Sequence, residues 1–258
     1  MENADSNSLE DGTSQRATDR FPIDLPILET IDNVHECSYL PGLTANLPLK
    51  LPSRILTHEE FDDVLSRGIR RSGVFLYHTD CATCKACEPT RVDVSTFELR
   101  GSFRRVLHRG DRELRMGVCS PVLDEHRVRL FNQHRTQRGL GQEGQEYQPS
   151  DYENFLVDTC CPQTIELSFW RQDELVGLSI IDCGKLALSA VYTFFDPKYS
   201  RLSIGTYSIL KQFEFAQKSE RRFVYLGLYV KQNEHLNYKA RFAPQERFID
   251  GRWISFQN

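Results

Sequence analysis

The residues whose types and spacing could do chemistry fall into three groups: clustered thiols, concentrated guanidiniums, and one strand-to-helix junction. Cys81-Ala-Thr-Cys84-Lys-Ala-Cys87 places three thiols at i, i+3 and i+6, where short loops can bring sulfurs together on one metal ion or cluster. A fourth ligand must come from elsewhere, and Cys37 and His78 are the candidates by type. Three reduced thiols in a surface loop are the alternative. Cys160 and Cys161 are adjacent and poorly placed to chelate together. No apolar export segment opens the sequence, so the expected compartment is the cytoplasm, where eight cysteines make no disulfide framework.

Of 32 basic residues, 24 are arginine, and ten of these lie between Arg100 and Arg138 against only Asp111, Glu113, Asp124 and Glu125. Arginine keeps its charge and forks onto phosphate or carboxylate, so a local anion-binding face is expected within a chain of net charge −4. A solvated, internally paired face is the plainer alternative. The segment Asp196 to Tyr207 joins a strand to a helix N-terminus, where main-chain N–H groups suit an anion or a developing oxyanion. Its Arg201-Leu-Ser-Ile-Gly205-Thr206 spacing lacks the glycine pattern with which GNAT acetyltransferases hold coenzyme A, so an acyl donor other than coenzyme A is expected. Tyr192, Tyr207, Tyr225, Tyr229 and Tyr238 gather phenols around the same elements.

The elements that must position these groups divide unevenly. Residues 1–20 read as a disordered acidic tail. Phe21 to Pro52 is proline-rich and irregular, and Thr57-His-Glu-Glu60 has the form of a helix-starting capping box. Val74–Tyr77 and Val92–Phe97 are strand candidates, Arg127–Phe131 begins a strand or a basic helix, and Thr136–Ser150 is an exposed loop. Strands are predicted over Thr164–Phe169, Leu175–Asp182, Ala187–Phe195 and Arg222–Leu228, with an amphipathic helix over Ser203–Gln217. A mixed α/β (α+β) fold follows. Hydrophobic content of 40% and charged content of 26% exclude wholesale disorder, and no apolar run is long enough for a membrane span.

Four blocks and a short signature resemble one family. GIRRSGVFLYHTDCATCKACEPTRVDV (68–94), SFRRVLHRGDREL (102–114), LSAVYTFFDPKYSRLSIGTYSIL (188–210), FVYLGLYVKQNEHLNYKARFAPQE (223–246) and CSYLPG (37–42) resemble the aminoacyl-tRNA–protein transferases. The compact bacterial branch, aspartate/glutamate leucyltransferase, is the nearer match, and its longer eukaryotic relatives are arginyltransferases. The resemblance implies a GNAT-like aminoacyltransferase domain over residues 116–258 and a smaller cysteine-containing N-terminal domain over 21–115. It implies transfer of leucine, or less readily arginine, from charged tRNA to the N-terminal amine of proteins beginning with Asp or Glu, feeding N-degron degradation.

On that reading the partners are aminoacyl-tRNA and proteins with acidic N-termini, with no membrane. Ser203, Gly205 and Thr206 are the candidates for holding the aminoacyl end, and Tyr192 or Asp196 for assisting proton removal. Arg70, Arg71, Lys239 and Arg241, with Tyr207 and Tyr229, are the candidates for binding the acidic residue. Arg100, Arg104, Arg105 and Arg109 are the candidates for tRNA. Transfer itself requires no cofactor, while Cys37, Cys81, Cys84 and Cys87 could together take an iron–sulfur cluster or zinc. An iron–sulfur or zinc RNA-binding protein without transferase activity is the alternative function.

Overall fold

The computed structural model describes residues 21–22, 24–140 and 146–257. The expected acidic tail and the centre of the expected Gly/Gln-rich loop lie outside them.

The proline-rich opening forms short strands where none is predicted: β1 (Ile27–Ile31), β2 (Val34–Glu36), β3 (Thr44–Asn46) and β4 (Leu49–Pro52). Their partners are distant in sequence, which is why no local alternation betrays them. β4 pairs with β1 and, on its other side, with β6 (Phe75–Tyr77), which pairs with β5 (Arg70–Ser72). Between them, α1 (His58–Ser66) starts at the predicted capping box: Thr57 Oγ1 accepts from Glu60 N at 3.2 Å, and Glu60 Oε2 accepts from Thr57 N at 2.8 Å. Phe61, Val64 and Leu65 bury its apolar stripe, and Gly68 turns the chain with φ +76°.

The predicted Val92–Phe97 strand is shifted to β7 (Glu88–Asp93). α2 (Gly101–Glu113), β8 (Arg115–Cys119) and α3 (Glu125–Gln137) follow, so the Arg127 segment is helical. After α4 (Pro149–Tyr152), β9 (Thr164–Arg171), β10 (Glu174–Cys183) and β11 (Ala187–Phe195) form an antiparallel meander. α5 (Ile204–Lys218), β12 (Phe223–Tyr229), α6 (Glu234–Asn237), β13 (Gln245–Ile249) and β14 (Arg252–Phe256) complete the chain. The large sheet has the order β14-β13-β7-β12-β11-β10-β9-β8.

Alternation across this sheet sends side chains into cores on opposite faces. On one face Val224, Leu226, Leu188 and Val176 meet Phe103 of α2 and Tyr207, Leu210 and Phe213 of α5. On the other, Leu178, Ile180 and Phe194 meet Val128, Leu130 and Phe131 of α3, while Tyr225 and Ala187 meet α1 and the small sheet. The division expected at residue 115 does not separate the sheets, because β7 lies between β12 and β13. Its central position satisfies hydrogen bonds on both edges. Among the described residues, no helix is long and apolar enough to cross a membrane.

Candidate functional site

β11 and β12 are the parallel neighbours of the large sheet, and they pair over only three residues, Ala187–Ser189 with Phe223–Tyr225. Beyond that point both strands are bulged. Val191 has no partner in the β10 register, which runs from Ile181↔Ala190 to Ile180↔Tyr192. β12 shifts against β7 between Tyr225 and Gly227. Bulges bend a strand and redirect main-chain groups out of the ladder. The two strands thus part and expose a wedge of backbone polar groups that need partners.

Arg70 enters this wedge. Its Nη2 donates to Ala190 O of β11 at 3.3 Å. On the opposite side, a Cβ on Gly227 would lie 2.3 Å from Arg70 Nη1, and Gly227 has φ +94°, so both space and backbone demand glycine there. Arg70 Nε is buried without a partner. Lys239 is also buried, and its Nζ donates to Leu228 O, the residue after Gly227, at 2.5 Å. Burial first, and the Arg70 charge second, push the Lys239 ammonium down to about 7. Among the described residues no carboxylate pairs with either cation. Two basic groups sharing a low-dielectric site without a counter-ion favour an incoming anion.

The thiol-bearing loop borders the same place. Burial, followed by the Cys37, Cys81 and Cys84 thiols, pushes Cys87 up to about 12. Those four sulfurs therefore share one neighbourhood, and Cys87 and Cys37 also influence Tyr39, whose hydroxyl burial pushes well above its ordinary value. Their donor set does not fit a metal or cluster as placed. Cys81 Sγ is already engaged, accepting a bond from Asn46 N at 3.4 Å. Among the described residues no three His, Cys, Asp or Glu are arranged to hold a metal ion. Cys37, Cys81, Cys84 and Cys87 form a cluster of thiols beside Arg70 and Lys239, and the arrangement of the described residues does not support an iron–sulfur cluster or zinc there.

Two family models cover most of the chain: the N terminus of arginine-tRNA-protein transferase matches residues 35–105, and its C terminus matches residues 126–249. The chain belongs to this family. Among curated relatives, an aspartate/glutamate leucyltransferase of Saccharophagus degradans is 35% identical over 86% of this chain and 94% of its own. One from Thiobacillus denitrificans is 33% identical over 86% and 92%, and one from Acinetobacter baylyi 32% identical over 85% and 80%. Among solved structures, L-PGS from Bacillus licheniformis aligns with a TM-score of 0.43 and 17% identity, over 67% of this chain and 50% of that chain.

Within this transferase-family chain, the predicted residues separate into those that reach the wedge and those that do not. Adjacent strand residues point to opposite faces, so Arg70 and Arg71 cannot share a task. Arg71 is buried, with Nε 2.7 Å from Asp182 Oδ2 and Nη1 donating to Asp158 O at 2.9 Å. It ties β5 to β10 and is not a free cation for substrate. Tyr207 lies away from the wedge: its ring packs where a Cβ on Gly110 would stand 2.2 Å away, and its hydroxyl donates to Asp111 at 2.9 Å. Tyr229 is buried with the Arg247 guanidinium 3.6 Å from its ring centre. Its face is already covered.

Tyr192 accepts from Arg135 Nη1 at 3.3 Å, and burial raises its pKa. Asp196 is buried, accepts from Lys198 N at 2.9 Å and pairs with Lys198 Nζ at 3.3 Å. Both lie along β11 or at its open end, engaged with protein partners. Ser203, at φ +53°, turns the chain into α5, and Gly205 and Thr206 open that helix, with Gly205 lying against the Phe195 ring. Arg241 is exposed, turned away from Lys239, with its guanidinium 5.8 Å from the Phe103 ring.

The arginine-rich stretch does not make one face. α2 covers one side of the large sheet and α3 the other. On α3, Arg127 is spent on Asp124 and buried Glu166, and Arg135 donates to Tyr147 Oη at 2.9 Å. Arg100, Arg104, Arg105 and Arg109 remain exposed along α2. Sequence reading missed the main chain of Ala190, Val191 and Leu228 and the side chain of Tyr39. One signal was present: Gly227 interrupts the otherwise apolar, β-forming FVYLGLY, as a close backbone approach requires.

Proposed function

We propose that the chain moves leucine from charged tRNA to the N-terminal amine of proteins beginning with Asp or Glu, with the acidic side chain held by Arg70 and Lys239. The observation that carries this reading is the half-buried Arg70 beside the buried Lys239 in the wedge between β11 and β12, with no carboxylate pairing either among the described residues. The relatives are named for acidic acceptors and for leucine, and they extend over most of this chain. The parting of β11 from β12 supports a GNAT-like organisation of the aminoacyltransferase part, with the thiol-bearing segment supplying Arg70.

The chemistry is aminolysis of an ester. The amine nitrogen bonds to the aminoacyl carbonyl carbon, the C–O bond to the terminal ribose breaks, and the amine proton ends on the ribose oxygen. An N-terminal amine with a pKa of about 7.7–8.0 is partly neutral already near neutral pH, so positioning and oxyanion stabilisation are the main requirements. The bulge at Val191 offers main-chain N–H groups outside the ladder beside Arg70, suited to the carbonyl oxygen as it gains charge. The Ser203–Thr206 helix start, at the open end of β11, serves the aminoacyl end of the tRNA. A leucine added to an acidic N-terminus creates a large apolar N-terminal residue and so feeds N-degron degradation in the cytoplasm, where charged tRNA is available.

Incubation with labelled Leu-tRNA and a free Asp-starting peptide tests the proposal. The expected product is a labelled peptide that does not form when the same peptide is N-acetylated. Absence of label from both Leu-tRNA and Arg-tRNA donors overturns it.

A further inference from the structure

The turn at residues 238–241 presents its two cations to opposite sides. Lys239 points inward to Leu228 O, whereas Arg241 stands in solvent two residues on. Arg241 lines an open cleft of about 340 Å³ together with Arg100, Ser102, Phe103 and Ala240. Among the described residues, no acidic residue lines this cleft. Among the described residues the Arg241 guanidinium meets no carboxylate, only the face of Phe103.

The cleft opens onto the basic side of α2. Arg104, Arg105 and Arg109 extend from it along the helix, and the two acids of α2 sit at the far end, already engaged. Asp111 accepts from Tyr207 and Lys211, and Glu113 pairs with Arg201 at 2.6 Å. A run of arginines leading into a nucleotide-sized cleft matches a polyanion with regularly spaced phosphates better than a single carboxylate. The exposed Tyr238 on the same turn adds an aromatic surface suited to a stacked base.

We infer that Arg241 and Arg100 bind phosphodiester groups at the acceptor end of the charged tRNA, and that the 238–241 turn divides this RNA site from the peptide site at Lys239 and Arg70. This rests on the transfer reading above and reassigns Arg241 from the peptide to the RNA.

Steady-state transfer by the full chain, with Arg241→Gln and Arg100→Gln compared against Arg70→Met, tests the division. Both glutamine substitutions are at exposed positions. Each should raise the KM for Leu-tRNA about tenfold, the order lost with one charge-assisted contact, while leaving the KM for an Asp-starting peptide unchanged. Each should also reduce the slope of log affinity against log salt for uncharged tRNA by about one. Arg70→Met should show the converse pattern. An Arg241→Gln variant that raises the peptide KM, or that leaves tRNA affinity and its salt slope unaltered, overturns the assignment. The binding titration with uncharged tRNA reads the cleft even where no transfer is found, so failure of the transfer reading and failure of the RNA site are told apart.

Discussion

Arg70→Met isolates the charge of the wedge while keeping an apolar stem of similar length. Among the described residues the guanidinium makes one hydrogen bond, to Ala190 O, and its Nε has none. An incoming carboxylate would therefore find unused donors in a half-buried site beside the buried Lys239. A hydrogen bond to a charged group contributes about 1.5–3 kcal/mol, so its loss should cut kcat/KM for Asp- and Glu-starting peptides by roughly 10- to 150-fold. A peptide starting with Asn, of the same shape but neutral, loses far less. The ratio of kcat/KM for Asp over Asn, measured by competition in one reaction, should collapse towards unity in the variant. Removal of the Arg70 charge also relieves repulsion on Lys239, so its ammonium titrates at higher pH. Retention of the native Asp/Asn ratio by folded Arg70→Met would refute the reasoning, because the wedge would then carry no acid recognition.

Three further outcomes follow from named contacts. Gly227→Ala drives a Cβ to within 2.3 Å of Arg70 Nη1 at φ +94°; a loss of about 1–3 kcal/mol in denaturant titration and a fall in Asp/Asn selectivity are expected together. Arg71→Met leaves Asp182 buried without its cation and should destabilise by about 3–5 kcal/mol, with peptide KM unchanged in the molecules that remain folded. Burial pushes His134 down to about 4, below its unfolded value of about 6.5. The unfolded chain then binds more protons between those values, so stability is lost as pH falls through that window, by about 3 kcal/mol in total. Thermal melts of His134→Gln should lack that part of the acid sensitivity.

How much was legible beforehand depended on how local each determinant is. The strands from Thr164 to Phe195 and helix α5 are set by runs of apolar residues and could be read directly. The Thr57–Glu60 capping box was equally plain, since four consecutive residues decide it. β1 and β4 were not legible because their hydrogen bonds go to each other across 17 or more residues and to β6. The insertion of β7 between β12 and β13 is a tertiary choice of the same kind. At the site, residue types pointed to Arg70 and Lys239, but alternation alone could not say which of Arg70 and Arg71 faces the wedge. That is decided by the pairing of β5 with β6 and by Asp182 waiting on β10. The arginine excess between Arg100 and Arg138 misled as a single face because charge counts along a chain do not register that α2 and α3 cover opposite sides of a sheet.

The most direct measurement is a donor-by-acceptor transfer matrix: labelled Leu-tRNA and Arg-tRNA, each with peptides starting with Asp, Glu, Asn and Lys. The account predicts strong labelling from Leu-tRNA with Asp and Glu, weak labelling with Asn, and none with Lys, where a third cation would enter beside Arg70 and Lys239. Equal labelling of Lys- and Asp-starting peptides, or no labelling in any combination, would contradict it.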